Sequence, residues 1–189
     1  MSSITDFIER RMLLKVNKEK SGIRRPLSSN FLGYSFMRDG SLRLSAESER
    51  RLKSKIKVIT SRKRGVSFQQ ILSELRQSLS GWMNYFKLAK KKRKLQDLEG
   101  WMRRRLKSFR LKQCKRAISI ANFLQKLGVP KSLSWRTALS GKGWWRIANS
   151  PASAMAMTNQ WFLEQGFYSL TENYKRHFVN YTPKKPPYT

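Results

Sequence analysis

The sequence of 189 residues has few of the side chains on which many enzymes and metal proteins depend. It contains one cysteine, Cys114, and one histidine, His177. A single cysteine excludes a disulfide within the chain, and the two residues together cannot form a zinc site of cysteines and histidines. No convincing Ser-His-Asp or Cys-His set can be assembled from them. We interpret Cys114 as a small apolar side chain in a helix and His177 as a surface residue.

Acidic residues are also scarce, because 11 Asp and Glu stand against 41 Lys and Arg. Polymerase and nuclease chemistry requires clustered carboxylates that hold two cations about 4 Å apart. Here the acidic residues are scattered. We interpret Glu47, Glu49, Asp97 and Glu99 as residues in the first turns of helices, where the helix dipole favours negative charge. The sequence therefore predicts no catalytic residue, no metal site and no cofactor.

Long hydrophobic runs are missing as well. No stretch approaches the roughly 18 uninterrupted apolar residues of a membrane span. The N-terminus has no apolar signal core, and its amphipathic start carries Asp6 and Glu9, which argues against a transit peptide. We expect a protein without membrane contact. Its expected location is the cytoplasm of a bacterium, or an organelle if the source is eukaryotic.

Apolar residues and positive charge are abundant. Hydrophobic residues make up 39% of the chain and aromatic residues 12%, which is enough for a core and argues against a wholly disordered basic tail. The formal charge of +30 is far above what solubility requires. Self-repulsion of this size destabilises a compact state, so a polyanionic partner is expected. Nucleic acid is the leading candidate.

Hydrophobic periodicity predicts a mainly α fold. Apolar residues three to four apart indicate a short helix over residues 2–14. Alternating residues in 31–36 and 42–44, on either side of Asp39-Gly40, indicate a β-hairpin. Helical signals dominate the rest of the chain, and the proline-rich tail of residues 182–187 is expected to be disordered.

Three long helices are predicted after the hairpin. The first has Ser45 as its N-cap, the second starts at a capping box formed by Ser67 and Gln70, and the third carries an apolar stripe over residues 95–109. Shorter helices are predicted over residues 118–127 and 133–139. A last helix is predicted to start at Ser150-Pro151 and to stop at Gly166.

Positive charge is concentrated in residues 87–116, which contain fourteen Lys and Arg against Asp97 and Glu99. On the third helix Arg103, Lys107 and Arg110 are spaced four and three apart, away from the apolar stripe. A solvated helix face is the alternative interpretation, but such faces usually mix both signs of charge. We therefore expect nucleic-acid contact, with loss of these three cations weakening binding and leaving the melting temperature unchanged or higher.

A second basic segment contains two adjacent tryptophans, Trp144 and Trp145, beside Lys142 and Arg146. Tryptophans in such a setting either stack on bases or belong to the core, and the sequence leaves both interpretations open. The full set of residues predicted to bind nucleic acid is Arg62, Lys63, Arg64, Lys87, Lys90, Lys91, Lys92, Arg93, Lys94, Arg103, Arg104, Lys107, Arg110, Lys142, Trp144 and Arg146.

These segments resemble a known family. KVNKEKS (residues 15–21) followed by FLGYSF (31–36) resembles the last two blocks of the group II intron reverse transcriptase/maturase family. GWMNYF (81–86) and LEGWMRRRL (98–106) are similar to the thumb, or X, domain of that family, and KGWWRIANSP (142–151) is similar to the segment that closes it. The resemblance covers about residues 10–175.

The resemblance implies an RNA-binding module and a division of the chain. The thumb and its extension would bind structured intron RNA and assist its folding for splicing. The implied segments are a palm remnant with the hairpin (1–45), a three-helix thumb (46–117), a helical maturase extension (118–180) and a disordered tail (181–189). The Tyr-Ala-Asp-Asp block of the family, whose aspartates bind the catalytic metals, does not occur in these residues.

Two alternatives remain open. One is a subunit of a split reverse transcriptase whose catalytic palm lies on another chain, with the apolar face of the first helix and residues 31–36 as the interface. The other is a basic scaffold protein of a larger ribonucleoprotein, an interpretation that leaves the order of the motifs unexplained.

Overall fold

The computed structural model describes residues 2–17, 19, 21–23, 25–89 and 92–179. The predicted RNA contacts Lys90 and Lys91, and the predicted disordered tail 181–189, lie outside the described residues. The side chains of Ser28 and residues 177–179, including His177, are not described either. In the described part the chain is mainly helical with a small antiparallel sheet near its N-terminus, which confirms the predicted fold class.

The first 45 residues form one helix and a small sheet. The elements are α1 (Ser2–Arg11), a 3-10 turn (Pro26–Ser28), β1 (Asn30–Phe31), β2 (Tyr34–Phe36) and β3 (Leu42–Leu44). Strands β2 and β3 pair antiparallel with Tyr34 opposite Leu44, which confirms the predicted hairpin. All three strands are antiparallel in the order β1-β2-β3.

Residues 31–36 do not form the single strand that their alternation predicts. The chain turns at Leu32 and Gly33, whose φ angles are 48° and 79°, and β1 folds back against β2. The left-handed conformation at Gly33 suits a residue without a Cβ atom. A Cβ at Gly33 would also lie 2.6 Å from Ser48 Oγ, so glycine fits the close approach to the following helix.

Three long helices follow the sheet: α2 (Ala46–Ile59), α3 (Phe68–Tyr85) and α4 (Lys92–Gln113). The predicted caps are confirmed, since Ser45 Oγ accepts from Ser48 N and Ser67 Oγ accepts from Gln70 N. Glu47 and Glu49 lie in the first turn of α2 as predicted. The same prediction is wrong for Asp97 and Glu99, because α4 begins at Lys92 and its first turn is not acidic.

Six shorter helices complete the described chain: α5 (Ala117–Lys126), α6 (Lys131–Ala138), α7 (Trp144–Ile147), α8 (Pro151–Ala156), α9 (Asn159–Glu164) and α10 (Leu170–Val179). The predicted start at Ser150-Pro151 is confirmed by the Ser150 cap. The single helix predicted from there to Gly166 is wrong. Met157 leaves the helix with φ −108° and ψ 72°, and Thr158 then caps α9 by accepting from Trp161 N.

One hydrophobic cluster joins the long helices to the shorter ones. It runs from Leu52 on α2 to Tyr174 on α10, with Met102 and Leu106 of α4 fully buried. Helices α10 and α7 both pack against α4, so this helix is covered on more than its predicted apolar stripe. None of the described helices combines the length and the apolar character needed to cross a membrane. The predicted division into domains stays a prediction.

Candidate nucleic-acid interface

Arg103, one of the predicted contacts on α4, forms an ion pair within the protein. Its Nη1 donates to Glu99 Oε1 at 2.6 Å, and Glu99 is only 5% exposed. The Glu99 carboxylate also accepts from Ser169 Oγ at 3.1 Å and from Thr171 N at 3.0 Å. Glu99 is therefore the anchor that ties α4 to the start of α10, a role that its sequence position did not reveal.

The other two members of the predicted open face are half-buried. Burial lowers the pKa of Lys107 below its ordinary value, and the neighbouring charge of Arg103 lowers it further. The guanidinium of Arg110 lies 4.5 Å from the ring centroid of Phe123 on α5, a distance typical of a cation–π contact. All three side chains are only partly exposed, since α10 packs against α4 and Phe123 of α5 lies against Arg110. Their contact with RNA stays a prediction.

Further cations join α4 to the C-terminal end of α2. Arg105 Nε donates to Thr60 Oγ1 at 2.6 Å, and its Nη2 donates to the Lys57 carbonyl oxygen at 3.2 Å. Lys112 Nζ donates to the Arg62 carbonyl oxygen at 2.9 Å. Carbonyl oxygens at a helix C-terminus lack hydrogen-bond donors within the helix. A cation placed there donates to these oxygens and interacts favourably with the negative end of the helix dipole. Burial lowers the pKa of Arg105.

Three more predicted RNA contacts have partners within the protein. Arg64 makes a bidentate ion pair with Glu74 at 2.7 and 2.8 Å, and this hydrogen bonding raises the pKa of Arg64 and lowers that of Glu74. Lys94 lies 2.8 Å from Glu49, whose pKa is lowered by hydrogen bonds from Lys53 and Lys94. Arg62 Nη1 donates to Ser108 Oγ at 3.2 Å.

Other predicted contacts remain available to a ligand. These residues are exposed and form no ion pair with any residue that the structure describes: Lys63, Lys87, Lys92, Arg93, Lys142 and Arg146. They fall into two regions, one near the junction of α3 and α4 and one around α7. Lys63 lies apart from both, in the turn after α2.

The region around α7 contains a cavity of about 500 Å³ with four cations in its wall: Arg104, Arg136, Lys142 and Arg146. We call it the four-cation pocket. No carboxylate is among the described residues that line it. Its walls come from α4, α6, α7 and the loop over residues 139–143, so segments far apart in sequence meet there.

Arg104 is fixed at the edge of this pocket. Its Nε and Nη2 donate to the Trp145 carbonyl oxygen at 3.2 and 3.1 Å, and its guanidinium lies 4.2 Å from the Trp145 ring centroid. Trp145 is 37% exposed, whereas Trp144 is partly buried and packs against the core. The sequence left open whether these tryptophans stack on bases or belong to the core, and the structure places Trp144 against the core.

Arg136 is the cation of this pocket that sequence reasoning missed. It belongs to no basic run, and the other cation on α6 is Lys131, five positions before it. The available signal was broader: residues 100–163 contain thirteen Lys and Arg and no Asp or Glu.

Cys114 packs against the core, and burial raises the pKa of its thiol. In the described parts of the chain, no three His, Cys, Asp or Glu side chains come together as a metal site would require.

A comparison with known protein families gives a match that spans helices α2 to α5. Residues 49–128 match the family model of the group II intron, maturase-specific domain. The match covers 80 of the 189 residues, and this segment is similar to that domain. The matched segment extends from the first turn of α2 to Gly128, just beyond α5. A search of curated proteins finds no match to the chain.

The maturase-specific domain implies a function in group II intron splicing, with an intron RNA as the partner. It is not the catalytic polymerase region of such proteins. The resemblance drawn from residues 81–86 and 98–106 is thereby confirmed. The similar segments at 15–21, 31–36 and 142–151 lie outside the matched residues, and their family roles stay predictions.

Proposed function

We propose that this chain binds structured group II intron RNA directly and assists its folding for splicing, without a polymerase site of its own. The observation that carries the proposal is the stretch of thirteen cations without an acidic residue over residues 100–163, which overlaps the maturase-specific domain. Arg136, Lys142 and Arg146 within that stretch are exposed and form no ion pair with a described residue.

Electrostatics and RNA geometry define the expected mode of binding. Neutralising phosphates releases condensed counterions, so affinity depends steeply on salt. The deep, narrow major groove of A-form RNA hides base edges from side chains, so recognition follows shape and single-stranded junctions. We therefore expect a preference for a folded intron over an unstructured RNA of equal length.

Binding to folded intron RNA and to a scrambled RNA of the same length tests this function. If about six to ten phosphates are neutralised, affinity falls roughly 10³- to 10⁵-fold between 50 and 200 mM salt on the scale of duplex DNA. The folded intron is expected to bind more tightly at every salt concentration and to splice faster with the protein present. Equal affinity for the two RNAs would contradict the maturase proposal and indicate a general polyanion binder.

We propose that polymerase activity is absent because the described acidic residues do not form the cluster that would bind catalytic metal ions. The 189 residues contain no Tyr-Ala-Asp-Asp block, and the described carboxylates do not gather in groups of three or more. We expect no template-dependent primer extension by the purified chain with dNTPs and Mg²⁺. Extension that survives controls for host polymerase would refute this part of the proposal.

A second candidate function is that of a subunit in a split reverse transcriptase whose palm lies on another chain. The observation that favours it is the exposed apolar surface near the N-terminus. Helix α1 buries none of its residues, and Phe7, Phe31 and Leu32 are 54%, 64% and 65% exposed. Apolar side chains grouped on a surface commonly mark protein interfaces.

Co-expression with a palm chain that carries a Tyr-Ala-Asp-Asp block tests the second function. The pair is expected to co-purify and to incorporate dNTPs, and the double variant Phe7→Ser/Phe31→Ser is expected to lose co-purification while RNA binding persists. Leu139→Ser is a matched control, since Leu139 is 66% exposed but lies at the end of α6. Loss of co-purification in the control to the same degree would contradict this interface.

A further inference from the structure

We propose that the four-cation pocket holds a phosphate group of the RNA backbone and that Arg136, which belongs to no basic run in the sequence, is one of its ligands. This inference rests on the RNA-binding function proposed above. It assigns a defined anchor to that function, in place of the basic face of α4 that the sequence suggested.

The chemistry of the pocket wall fits an anion. Alongside its four cations the pocket is lined by Asn149, whose side-chain amide supplies a further donor. Ser140 also lines it, but its hydroxyl donates to the Thr137 carbonyl oxygen at 2.9 Å. Its volume of about 500 Å³ is in the usual range for ligand sites. Sites for small organic ligands are lined mainly by apolar side chains, however, and this wall combines several charges of one sign with other donors. A phosphate suits such a wall better than a neutral ligand does.

The position of Arg104 is set before any ligand arrives. Two of its nitrogens donate to the Trp145 carbonyl oxygen, and its guanidinium stacks over the Trp145 ring. Nη1 of Arg104 donates to no described residue, so it retains hydrogens for an anion in the pocket. A donor held in place loses less entropy on binding than a flexible surface lysine does. Arginine also matches phosphate oxygens with two parallel hydrogen bonds.

The gathering of four like charges is unfavourable without a ligand. The four cations come from separate parts of the fold, and no carboxylate among the described residues of the pocket wall offsets their charge. Like charges around one cavity repel each other, and a bound anion removes that repulsion. The arrangement differs from that on α4, where Glu99 neutralises Arg103.

Single glutamine substitutions test the pocket against general charge loss. Arg136→Gln and Arg146→Gln remove pocket cations, whereas Lys131→Gln removes an exposed cation that lies on the same helix as Arg136 but outside the pocket wall. Each pocket variant is expected to weaken binding to folded intron RNA about tenfold and to reduce the salt slope by about one. Lys131→Gln is expected to stay within about twofold of wild type.

A thermal melt with inorganic phosphate, against chloride at equal ionic strength, gives an independent readout. Phosphate is expected to raise the melting temperature of wild type and of Lys131→Gln, and to raise that of Arg136→Gln less, because a ligand of the folded state stabilises it. An unchanged phosphate response in Arg136→Gln would contradict its role as a ligand. All variants are expected to melt within a few degrees of wild type without phosphate, since the three substituted side chains are exposed.

The two assays separate failure of the pocket from failure of the proposed function. If wild type binds folded RNA and all three variants bind equally well, the pocket is not an anchor and the inference is overturned. If phosphate stabilises wild type but the pocket variants bind RNA normally, the site holds free phosphate only, which also overturns it. If wild type fails to bind RNA at all, the proposed function fails, whatever phosphate does.

Discussion

Helix α4 and the four-cation pocket contain the same kinds of side chain and use them differently. On α4 the charged groups of Arg103, Arg105 and Arg110 lie against Glu99, Thr60 and Phe123 of the protein itself.

In the pocket, Arg136, Lys142 and Arg146 are exposed around a cavity without a described carboxylate in its wall. The density of cations along the sequence therefore does not locate the surface that is free to bind an anion.

Arg104 belongs to both regions. It lies on α4 and is held by Trp145, as Arg103 is held by Glu99, yet it lines the pocket. The middle of α4 therefore uses its cations to hold neighbouring elements, whereas cations on α6, on α7 and at the start of α4 remain available to a ligand. Substitutions on α4 should therefore change stability, and substitutions in the pocket should change binding.

The largest effect is expected at the anchor of α4. Glu99→Ala removes the buried partner of Arg103 and the acceptor for Ser169 and Thr171, and should cost about 3–5 kcal/mol of unfolding free energy. Denaturant unfolding measures the loss. Glu172→Ala is the matched control, because it also removes one acidic charge but lies exposed in the first turn of α10, and should cost at most about 1 kcal/mol. Equal costs would contradict the anchoring role.

The core beneath the cations should be almost as sensitive. Leu106→Ala empties a fully buried site on α4 and should cost about 2–5 kcal/mol in the same unfolding measurement. RNA affinity, measured below the melting transition, should be unchanged. Ile118→Ala, at a 54% exposed position on α5, should alter stability by no more than about 0.5 kcal/mol. A binding defect in folded Leu106→Ala protein would contradict this separation and show that the packing beneath α4 also sets RNA affinity.

Two triple variants of equal charge compare the regions directly. Arg103→Gln/Lys107→Gln/Arg110→Gln should lose about 1–3 kcal/mol of stability, because Glu99 loses its ion pair and Phe123 its cation. This reverses the sequence-based expectation of an unchanged or higher melting temperature. Arg136→Gln/Lys142→Gln/Arg146→Gln should keep or raise its melting temperature, because like charges are removed, and should lose up to about three units of salt slope.

Thermal melts and salt titrations on both triple variants provide the measurement. The comparison fails if the α4 variant keeps its stability and loses its salt slope, since that result would make α4 the phosphate-binding face. The distinction between the two regions is supported if the α4 variant lowers only the melting temperature and the pocket variant lowers only the salt slope.

The smallest effect is expected for Lys107→Met, which should leave the stability of the protein unchanged or raise it. Burial lowers its pKa, so between that lowered pKa and the ordinary value of 10.5 the unfolded chain binds more protons than the folded chain. Its contribution to stability therefore rises with pH through this window. Lys107→Met removes the buried charge and should equal or exceed wild type in melting temperature at pH 7. That advantage should shrink as pH rises towards 10.5.

Melts of wild type and Lys107→Met at several alkaline pH values check the sign. An advantage that grows with pH would show that the ammonium group of Lys107 is stabilised by its surroundings.

Local signals were sufficient for the start of three helices: α2, α3 and α8. Ser45, Ser67 and Ser150 each accept a hydrogen bond from the backbone three residues later, as a cap requires, and this interaction depends only on nearby residues. The hairpin around Asp39-Gly40 was predictable for the same reason. The break at Met157 was not, because Ser150 and Gly166 gave a plausible start and stop and the weaker cap Thr158 lay between them.

The candidate site was predicted only in part. Lys142 and Arg146 belong to a visible basic segment, and the structure places both in the pocket wall. Arg136 had no local signal, since its neighbours on α6 are polar or apolar and its pocket partners are distant in sequence. The first-turn interpretation of Glu99 failed because a charge pattern does not reveal where a helix begins when the preceding residues also form helix.

The sequence by itself determined the helical character and the resemblance to group II intron maturases, and its charge predicted a polyanionic partner. Net charge, periodicity and the order of motifs are properties of the chain, and they do not depend on how it folds. Tertiary structure alone decided which cations are free. Whether a guanidinium meets a carboxylate, a carbonyl oxygen, a ring or an open cavity depends on the elements packed around it. On α4 these neighbours are α2, α5, α7 and α10, and their packing leaves the free cations of the pocket on α6, α7 and the loop between them.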